Sequence, residues 1–430
     1  MITATHRENP APSSDDTEAD APLASGSVWN SPAAWTSFAA GFLTLFTVSV
    51  GGEMPVGEVL LVVTAGWVVL CALLNRAWPC ALLKNKYLWV MLAAQLIALC
   101  GYIFSDLYRQ SFPRDMARGW SRMIFLAIDI VAIAYLFGRS ARNFTVFLVG
   151  QCVGCVCSAI VLGPLFGDMW KFGVGTPATF LLFMLAPRAG PLVTGLAALG
   201  LGVAHFVLGF RSMGGLCLLT GVLTVLQGSI PVKSRIWLAP FAATAAVAVV
   251  LWASTHTSGR EEHVTTRSNV ERSAMVTAAI EAIKESPLIG HGSWFSNTDV
   301  YDNFMLIRRE SAREANIGGF PQEYEDPGTT AIHSQLLVAV AEGGLFGGAF
   351  FFVFGAGLFL SAFKLVFWTR WNRFAPLCTL FLASAIWSLF FNPFSGAQRV
   401  YIALASGLLL LLQTDSFAPH LNAGGEHEAA

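Results

Sequence analysis

Apolar stretches recur along most of the chain, and charged residues are confined mainly to the segments between them. A helix needs roughly 20 apolar residues to cross about 30 Å of hydrocarbon, and in lipid it satisfies its own backbone hydrogen bonds. The pattern therefore predicts an all-α polytopic membrane protein with about 12 transmembrane helices. The predicted spans are residues 34–50, 57–74, 86–104, 120–138, 143–162, 169–186, 190–210, 212–228, 235–253, 331–363, 372–391 and 399–414.

One long polar segment, residues 254–330, separates transmembrane helices 1–9 in residues 34–253 from helices 10–12 in residues 331–414. Placing the N-terminus in the cytoplasm puts most loop lysines and arginines inside, as the positive-inside rule requires. Both termini are then cytoplasmic, and the long segment becomes an extracytoplasmic loop. Residues 1–33, rich in Ser, Asp, Ala and Pro, are predicted to be a disordered cytoplasmic tail, and residues 415–430 a second cytoplasmic tail.

The composition agrees with a membrane location, because 55% of the residues are hydrophobic and only 12% are charged. The net charge of −1 and the lack of a basic stripe give no support to a nucleic-acid partner. Cys152, Cys155 and Cys157 lie close together in mid-span without a nearby His or Asp. They are predicted to be buried small side chains, so we expect neither a metal nor another cofactor.

Several arginines fall on the predicted outer side, against the charge rule. A single outer arginine can anchor at lipid headgroups, whereas several on one face favour an anionic ligand. Asp106, Asp115 and Asp168 could pair with some of them. Asp129 lies in the middle of a span, where a structural hydrogen bond or pairing with a polar neighbour is favoured. The outer arginines are Arg109, Arg114, Arg118, Arg122, Arg211 and Arg399.

Two polar motifs lie at the predicted outer surface before the tenth span. In GFRSMGG, residues 209–215, Arg211 occupies a turn followed by glycines that permit close approach of backbone or ligand. In ERSAMVTAAIEAIKESPLIGHGSWF, residues 271–295, apolar residues recur at helical spacing until Pro287. This predicts an amphipathic helix within the loop. Arg272 falls in its first turn, where the helix dipole prefers acids, so another interaction is expected to hold this cation.

A third motif, TTAIHSQLLVAVAEGGLFGGAFF, residues 329–352, returns the chain to the membrane. His333 begins the predicted span, and Glu342 follows inside an apolar helix. Each residue alone can be structural, with Glu342 bonding backbone near Gly343 and Gly344. Together at the start of a water-facing helix they indicate a candidate site.

The ordered combination is specific. An arginine between two spans is followed by an arginine on a helix ending in PLIGHG, and then by a His at a span start with LxxxxAExGLxG. Over roughly residues 170–400 this order resembles the bacterial O-antigen ligase and polysaccharide polymerase superfamily. The resemblance implies a bacterial inner-membrane enzyme whose active site and long loop are periplasmic. It implies transfer of a glycan from an undecaprenyl-diphosphate carrier to a sugar hydroxyl, without metal or nucleotide sugar.

The motif residues suit that chemistry. A departing lipid diphosphate develops negative charge, and guanidinium groups can bind it bidentately. We expect Arg211 and Arg272 to bind the diphosphate, with Arg267 in reserve, and His333 to deprotonate the acceptor hydroxyl as a general base. A single displacement would invert the anomeric configuration. Glu342 is a possible supporting residue, and Trp294 is one of several loop aromatics that could stack on sugars or simply pack the loop.

The acceptor stays open: lipid A-core, as in O-antigen ligation; a lipid-linked repeat of O-antigen or exopolysaccharide, as in polymerisation; or a protein. Two other classes remain as alternatives, a lipid-linked oligosaccharide flippase or other polysaccharide transporter, and a non-catalytic membrane scaffold. A transporter should show internal repeats and polar groups at the midplane. The outer cluster of Arg and His therefore favours the transferase.

Overall fold

The computed structural model describes residues 31–49, 53–75, 78–163, 168–238, 260–295, 334–369 and 371–414, with a few single positions between these ranges. Within these residues the architecture is all-α apart from one antiparallel hairpin, in which β1 (Thr47–Ser49) pairs with β2 (Glu53–Pro55). Both predicted tails, apart from the last few residues of the first, lie outside the described residues. So does most of the predicted span 235–253.

Helices make up almost all of the described structure. Residues 232–238 are also helical, and a π-helical turn, Trp170–Val174, precedes the sixth helix. Short 3-10 turns occupy Leu82–Lys84, Ala186–Ala189 and Ser293–Phe295. The α-helices are α1 (Pro32–Leu43), α2 (Val56–Asn75), α3 (Lys86–Arg109), α4 (Pro113–Arg139), α5 (Arg142–Val161), α6 (Gly175–Leu185), α7 (Pro191–Val207), α8 (Arg211–Ser229), α9 (Arg260–Glu285), α10 (Gln335–Gly347), α11 (Ala349–Trp368), α12 (Ala375–Phe391) and α13 (Gly396–Leu412).

Among the described residues, α2, α3, α4, α5, α8 and α11 are long and apolar enough to cross a membrane, which gives six candidate spans. Helices α7, α10, α12 and α13 are apolar but shorter. The chain is therefore a multi-pass membrane protein. The total of about twelve spans and the side on which the long loop lies remain predictions.

The apolar run 331–363 was predicted as a single span, but the structure divides its described part into two helices. Gly344 has a left-handed φ of 66° inside α10, and α11 begins only after Gly348. At 1.5 Å per residue the 13 residues of α10 extend about 20 Å, which is too short to cross the hydrocarbon. The hydropathy pattern could not show this, because glycine interrupts a helix without making it polar.

Helix α10 lies between the last turn of α12 and helix α3. Near its start, Ser334 Oγ donates a hydrogen bond to the carbonyl oxygen of Leu389 at 3.3 Å. Near its end, Ser105 Oγ on α3 donates to the carbonyl oxygen of Glu342 at 2.8 Å. This short helix therefore connects elements that are far apart in the sequence.

The predicted amphipathic helix is confirmed as α9, which ends at Glu285, two residues before Pro287. Because α9 begins at Arg260, Arg272 lies near its middle, and its predicted place in the first turn is wrong. Within its described side chains, Ala274, Ala278, Ala279 and Ala282 are buried, whereas Ser273, Thr277 and Glu281 are exposed. The small buried residues allow the helix to pack closely on its neighbours.

A labelling experiment tests the predicted orientation. In a background without the native cysteines, single cysteines placed along 260–313 should react with a membrane-impermeant maleimide in intact spheroplasts, since the loop is predicted to be outside. Cysteines at Lys233 and Arg373 should react only after permeabilisation. The reverse pattern would contradict the orientation and with it the predicted periplasmic site.

Candidate functional site

The buried carboxylate of Glu342 accepts hydrogen bonds from three other parts of the chain. Its Oε2 accepts from Tyr102 Oη on α3 at 2.9 Å and from Arg122 Nη2 on α4 at 2.5 Å. Its Oε1 accepts from the backbone N–H of Trp294 at 2.8 Å. Glu342 is only 2% exposed, so water does not substitute for these donors. Removing one partner of such a buried ion pair costs about 3–5 kcal/mol.

Arg122 is enclosed by aromatic rings as well as paired with the acid. Its guanidinium carbon lies 4.8 Å from the ring centroid of Trp294 and 5.6 Å from that of Phe394, which precedes α13. Cation–π attraction is strongest where the cation is desolvated, and Arg122 is 7% exposed. The guanidinium therefore joins α4 to the segment after α9 and to the turn before α13.

The segment after α9, residues 286–294, is called here the docking loop. Its backbone pairs with the end of α10: His291 N–H donates to Ala341 O, and Gly292 N–H donates to Glu342 O, each at 2.9 Å. A buried backbone segment must satisfy its own polar groups, and here α10 supplies the acceptors. The docking loop is therefore bonded to α10 along its length.

Helix α3 fixes the same loop from the other side. The Asp106 carboxylate accepts from Ser293 N–H at 2.6 Å, from Ser293 Oγ at 2.7 Å and from Trp120 Nε1 at 2.7 Å. Arg109 donates from Nε to Gly290 O at 3.0 Å and from Nη2 to Ser286 Oγ at 2.8 Å. Among the described residues Asp106 forms no direct salt bridge, and its predicted pairing with an arginine is observed only as an electrostatic interaction with Arg122.

Two glycines make this close approach possible. Gly290 has a φ of 82°, and a Cβ atom there would overlap the carbonyl oxygen of Glu342. Gly344 has a φ of 66°, and a Cβ there would overlap the carbonyl oxygen of Leu288. Both the backbone conformation and the space exclude larger residues.

Gly290→Ala is therefore expected to destabilise the protein more than Gly209→Ala. Gly209 has a nearly identical φ of 79°, but nothing lies within 4 Å of a Cβ placed there. The left-handed conformation costs alanine about 1–2 kcal/mol at either site, and only Gly290→Ala adds a steric clash. Denaturation midpoints in detergent measure the difference. Equal losses would show that the docking loop can move away from α10.

Three contacts hold α9 and the docking loop beside α10 in a parallel arrangement. Ala279 packs with Val338, and Leu345 N–H donates to Pro287 O at 2.8 Å. Between these two contacts, His291 bridges the helices: its ring Nε2 lies 2.8 Å from Ala282 O on α9, and its backbone N–H donates to Ala341 O on α10. The linked positions are 59, 59 and 58 residues apart. A nearly constant offset means that the two segments run side by side in one register.

The predicted site residues are distributed over these elements. Arg267 and Arg272 lie on α9, although their side chains are outside the described part of the structure. His333 is also outside the described residues, directly before Ser334, the N-cap of α10. Arg211 is the first residue of α8, and its side chain is half-buried. Of the five, Glu342 has the fully described environment given above.

The turn that carries Arg211 is held by a buried histidine. His205 is fully buried; Trp170 Nε1 donates to its Nδ1 at 3.0 Å, and Thr179 Oγ1 lies 2.8 Å from its Nε2. Because Nδ1 is an acceptor, Nε2 carries the proton and donates to Thr179. The ring is thereby fixed, and His205 O accepts from Phe210 N–H at 2.7 Å. This network sets the position of the residue next to Arg211.

Two of the arginines that were predicted to lie outside pair with buried acids, so their charges are balanced within the protein. Arg122 pairs with Glu342. Arg399 donates from Nε and Nη2 to the two carboxylate oxygens of Glu58 at 2.8 and 2.7 Å, and both side chains are buried. Asp129 interacts electrostatically with Glu58 and Arg399, but neither of its carboxylate oxygens has a hydrogen-bond partner among the described residues, so the predicted structural hydrogen bond is not observed.

Sequence reasoning did not assign a role to Tyr102, Trp120 or Ser293. Tyr102 and Glu342 are 240 positions apart, and Ser293 and Asp106 are 187 apart. The only local signal was a polar residue at the end of an apolar helix. Such a signal predicts that a partner exists but not which one.

A family model described as O-antigen ligase matches residues 178–352, from α6 to the start of α11. No curated protein matches the chain closely enough to count as a relative. The docking loop lies inside the matched range. So do the five predicted site residues, Arg211, Arg267, Arg272, His333 and Glu342. The match confirms the resemblance to the O-antigen ligase and polysaccharide polymerase superfamily that the three motifs carry, and it covers residues 178–352 of the chain.

Proposed function

We propose that this protein transfers a glycan from an undecaprenyl-diphosphate carrier to a sugar hydroxyl at the periplasmic face of the bacterial inner membrane, without a metal. The family supports glycan transfer of the O-antigen ligase type in general. The observation that supports the finer statement is the parallel register of α9 and α10.

Both predicted groups come shortly before the first observed contact of this register, Ala279 with Val338. Arg272 lies seven residues before Ala279 on α9, which is two helical turns and about 10 Å. In the sequence, His333 lies five residues before Val338. The packing therefore supports a site in which a phosphate-binding cation and a proton acceptor lie within reach of one substrate.

The reaction needs no further group. The acceptor oxygen attacks the anomeric carbon while its proton passes to the His333 imidazole, and the bond from that carbon to the diphosphate oxygen breaks. The electron pair stays on the diphosphate, where Arg211 and Arg272, with Arg267, stabilise the charge. Attack opposite the leaving group inverts the anomeric carbon. The lipid tail remains in the bilayer while the diphosphate reaches the arginines.

Reconstitution tests this proposal. Purified protein in lipid vesicles receives undecaprenyl-diphosphate glycan together with lipid A-core, a second lipid-linked repeat or an acceptor protein. Expected products are the glycosylated acceptor and free undecaprenyl diphosphate in equal amounts, with activity retained in excess EDTA. Movement of the lipid-linked glycan across the bilayer without bond breakage would instead favour the transporter alternative.

A further inference from the structure

The buried acid Glu342 has a role other than proton transfer, because both oxygens of its carboxylate already accept hydrogen bonds from the protein. Tyr102, Arg122 and Trp294 donate to both of its oxygens, and the side chain is almost completely buried. A general base needs a free lone pair directed at the substrate. The geometry of Glu342 therefore favours a role that acts through other residues.

We propose that Glu342 is a positioning residue that sets the register between α9 and α10. Its Oε1 accepts from Trp294 N–H at the end of the docking loop, and its Oε2 is fixed by Arg122 on α4 and Tyr102 on α3. The docking loop follows α9 directly, so anchoring the loop also anchors the helix that carries Arg267 and Arg272. The inference rests on the proposed function only where it links that register to the catalytic rate.

The strained backbone of Trp294 is consistent with this anchoring. Trp294 has a left-handed φ of 63°, which is rare for a residue with a side chain and is maintained only where surrounding contacts enforce it. The Glu342 carboxylate holds its N–H, and the Arg122 guanidinium holds its ring. Both parts of the ion pair therefore act on one residue of the docking loop.

Loss of the anchor would affect the distance between the reacting groups. A slip of one helical turn moves α9 by about 5.4 Å relative to α10. A misplacement of about 1 Å is enough to lower a rate roughly 100-fold. The register would therefore control turnover more strongly than donor binding, because the arginines would still face the lipid diphosphate but at the wrong distance from His333.

The decisive variants are Glu342→Gln and the double variant Glu342→Gln with Arg122→Met. Glutamine has one acceptor oxygen where the carboxylate has two, so its NH2 group must face either the Arg122 guanidinium or the Trp294 N–H, both of which are donors. In either orientation Arg122 stays charged without a counter-ion. In the double variant, methionine removes that charge and fills the aromatic surroundings with a flexible apolar side chain. The amide oxygen of the introduced glutamine can then accept from Trp294 N–H again. Glu58→Gln is the matched control, because Glu58 also pairs with a buried arginine but lies outside the docking loop.

Two readouts are needed for each variant. In a background without native cysteines, the Ala279→Cys and Val338→Cys pair reports the register by its disulfide cross-linking rate, independently of any transfer activity. Steady-state transfer in vesicles gives kcat and the KM for donor. We expect Glu342→Gln to lower the cross-linking rate several-fold and kcat roughly 10–100-fold with little change in KM. The double variant should recover most of both, and Glu58→Gln should leave cross-linking unchanged.

Other results would overturn the inference. Wild-type cross-linking in Glu342→Gln would show that the acid does not set the register. Restored cross-linking without restored kcat in the double variant would assign Glu342 to the chemistry. Failure of the wild-type protein to transfer glycan would contradict the proposed function, while the cross-linking rates would still decide whether Glu342 sets the register.

Discussion

Replacing Arg211 or Arg272 by alanine is expected to lower glycan transfer at least about 100-fold while the protein still inserts and accumulates in the membrane. Removing one preorganised donor to a developing oxyanion typically costs a factor of this size. Without a metal, the arginines would carry the whole charge of the departing diphosphate. Transfer in vesicles, with membrane quantity measured on the same samples, gives the comparison.

Lysine variants separate charge from geometry. Lysine keeps the charge but lacks the planar fork that binds two phosphate oxygens at once, so Arg211→Lys and Arg272→Lys should restore only part of the activity. Arg188→Ala is the matched control, since Arg188 is an exposed arginine whose one hydrogen bond within the described residues is to the local carbonyl of Met184 at 2.9 Å. Full activity in both lysine variants would show that bidentate phosphate binding is not their role.

Hydropathy predicted the parts of the fold that need only to be helical, apolar and long enough to cross the hydrocarbon. The predicted span 57–74 is observed as Val56–Asn75, because a helix in hydrocarbon needs only length and apolar side chains. The predicted span 120–138 is observed as Pro113–Arg139. Its first two turns carry Arg114 and Arg118, so the apolar criterion excluded them, although Pro113 is well suited to the first turn of a helix.

The parts that could not be predicted depend on tertiary contacts. Arg122 and Glu342 are 220 positions apart, and Arg399 and Glu58 are 341 apart. The sequence showed arginines where charge is unfavourable, which indicates a need for partners. A ligand and a buried acid both meet that need, and only the packing of α4 against the end of α10 and the docking loop identified the acid for Arg122.

The motif PLIGHGSW, residues 287–294, places the chain after α9 in contact with α10 and α3. Its glycines were predicted to end a helix, and they do so after α9. Gly290 and Gly292 also have left-handed φ values of 82° and 85°, which bring the backbone against α10 and α3. The motif is therefore a contact surface. His291 and Gly292 pair through their backbone N–H groups with Ala341 and Glu342 of α10, which a single sequence does not reveal.

His333→Ala is expected to lower turnover roughly 100-fold or more while leaving the binding of lipid-linked donor nearly unchanged. A general base contributes about 10²–10⁴-fold to rate, and imidazole changes its protonation near neutral pH. The wild-type rate should therefore rise with pH as one group loses its proton, and this rise should be absent from the variant. Donor affinity is measured by binding to vesicles without acceptor, and turnover by adding acceptor.

His205→Gln supplies the contrast, because His205 is buried in the network with Trp170 and Thr179 that holds the turn before Arg211. That variant should have a lower denaturation midpoint and the same pH dependence of the rate as the wild type, since His205 exchanges no proton with substrate. Near-normal turnover in His333→Ala would remove His333 from the mechanism. An equal loss of donor binding and turnover would instead make His333 a phosphate ligand, and catalysis would then rest on orientation of the two substrates and on stabilisation of the diphosphate by the arginines.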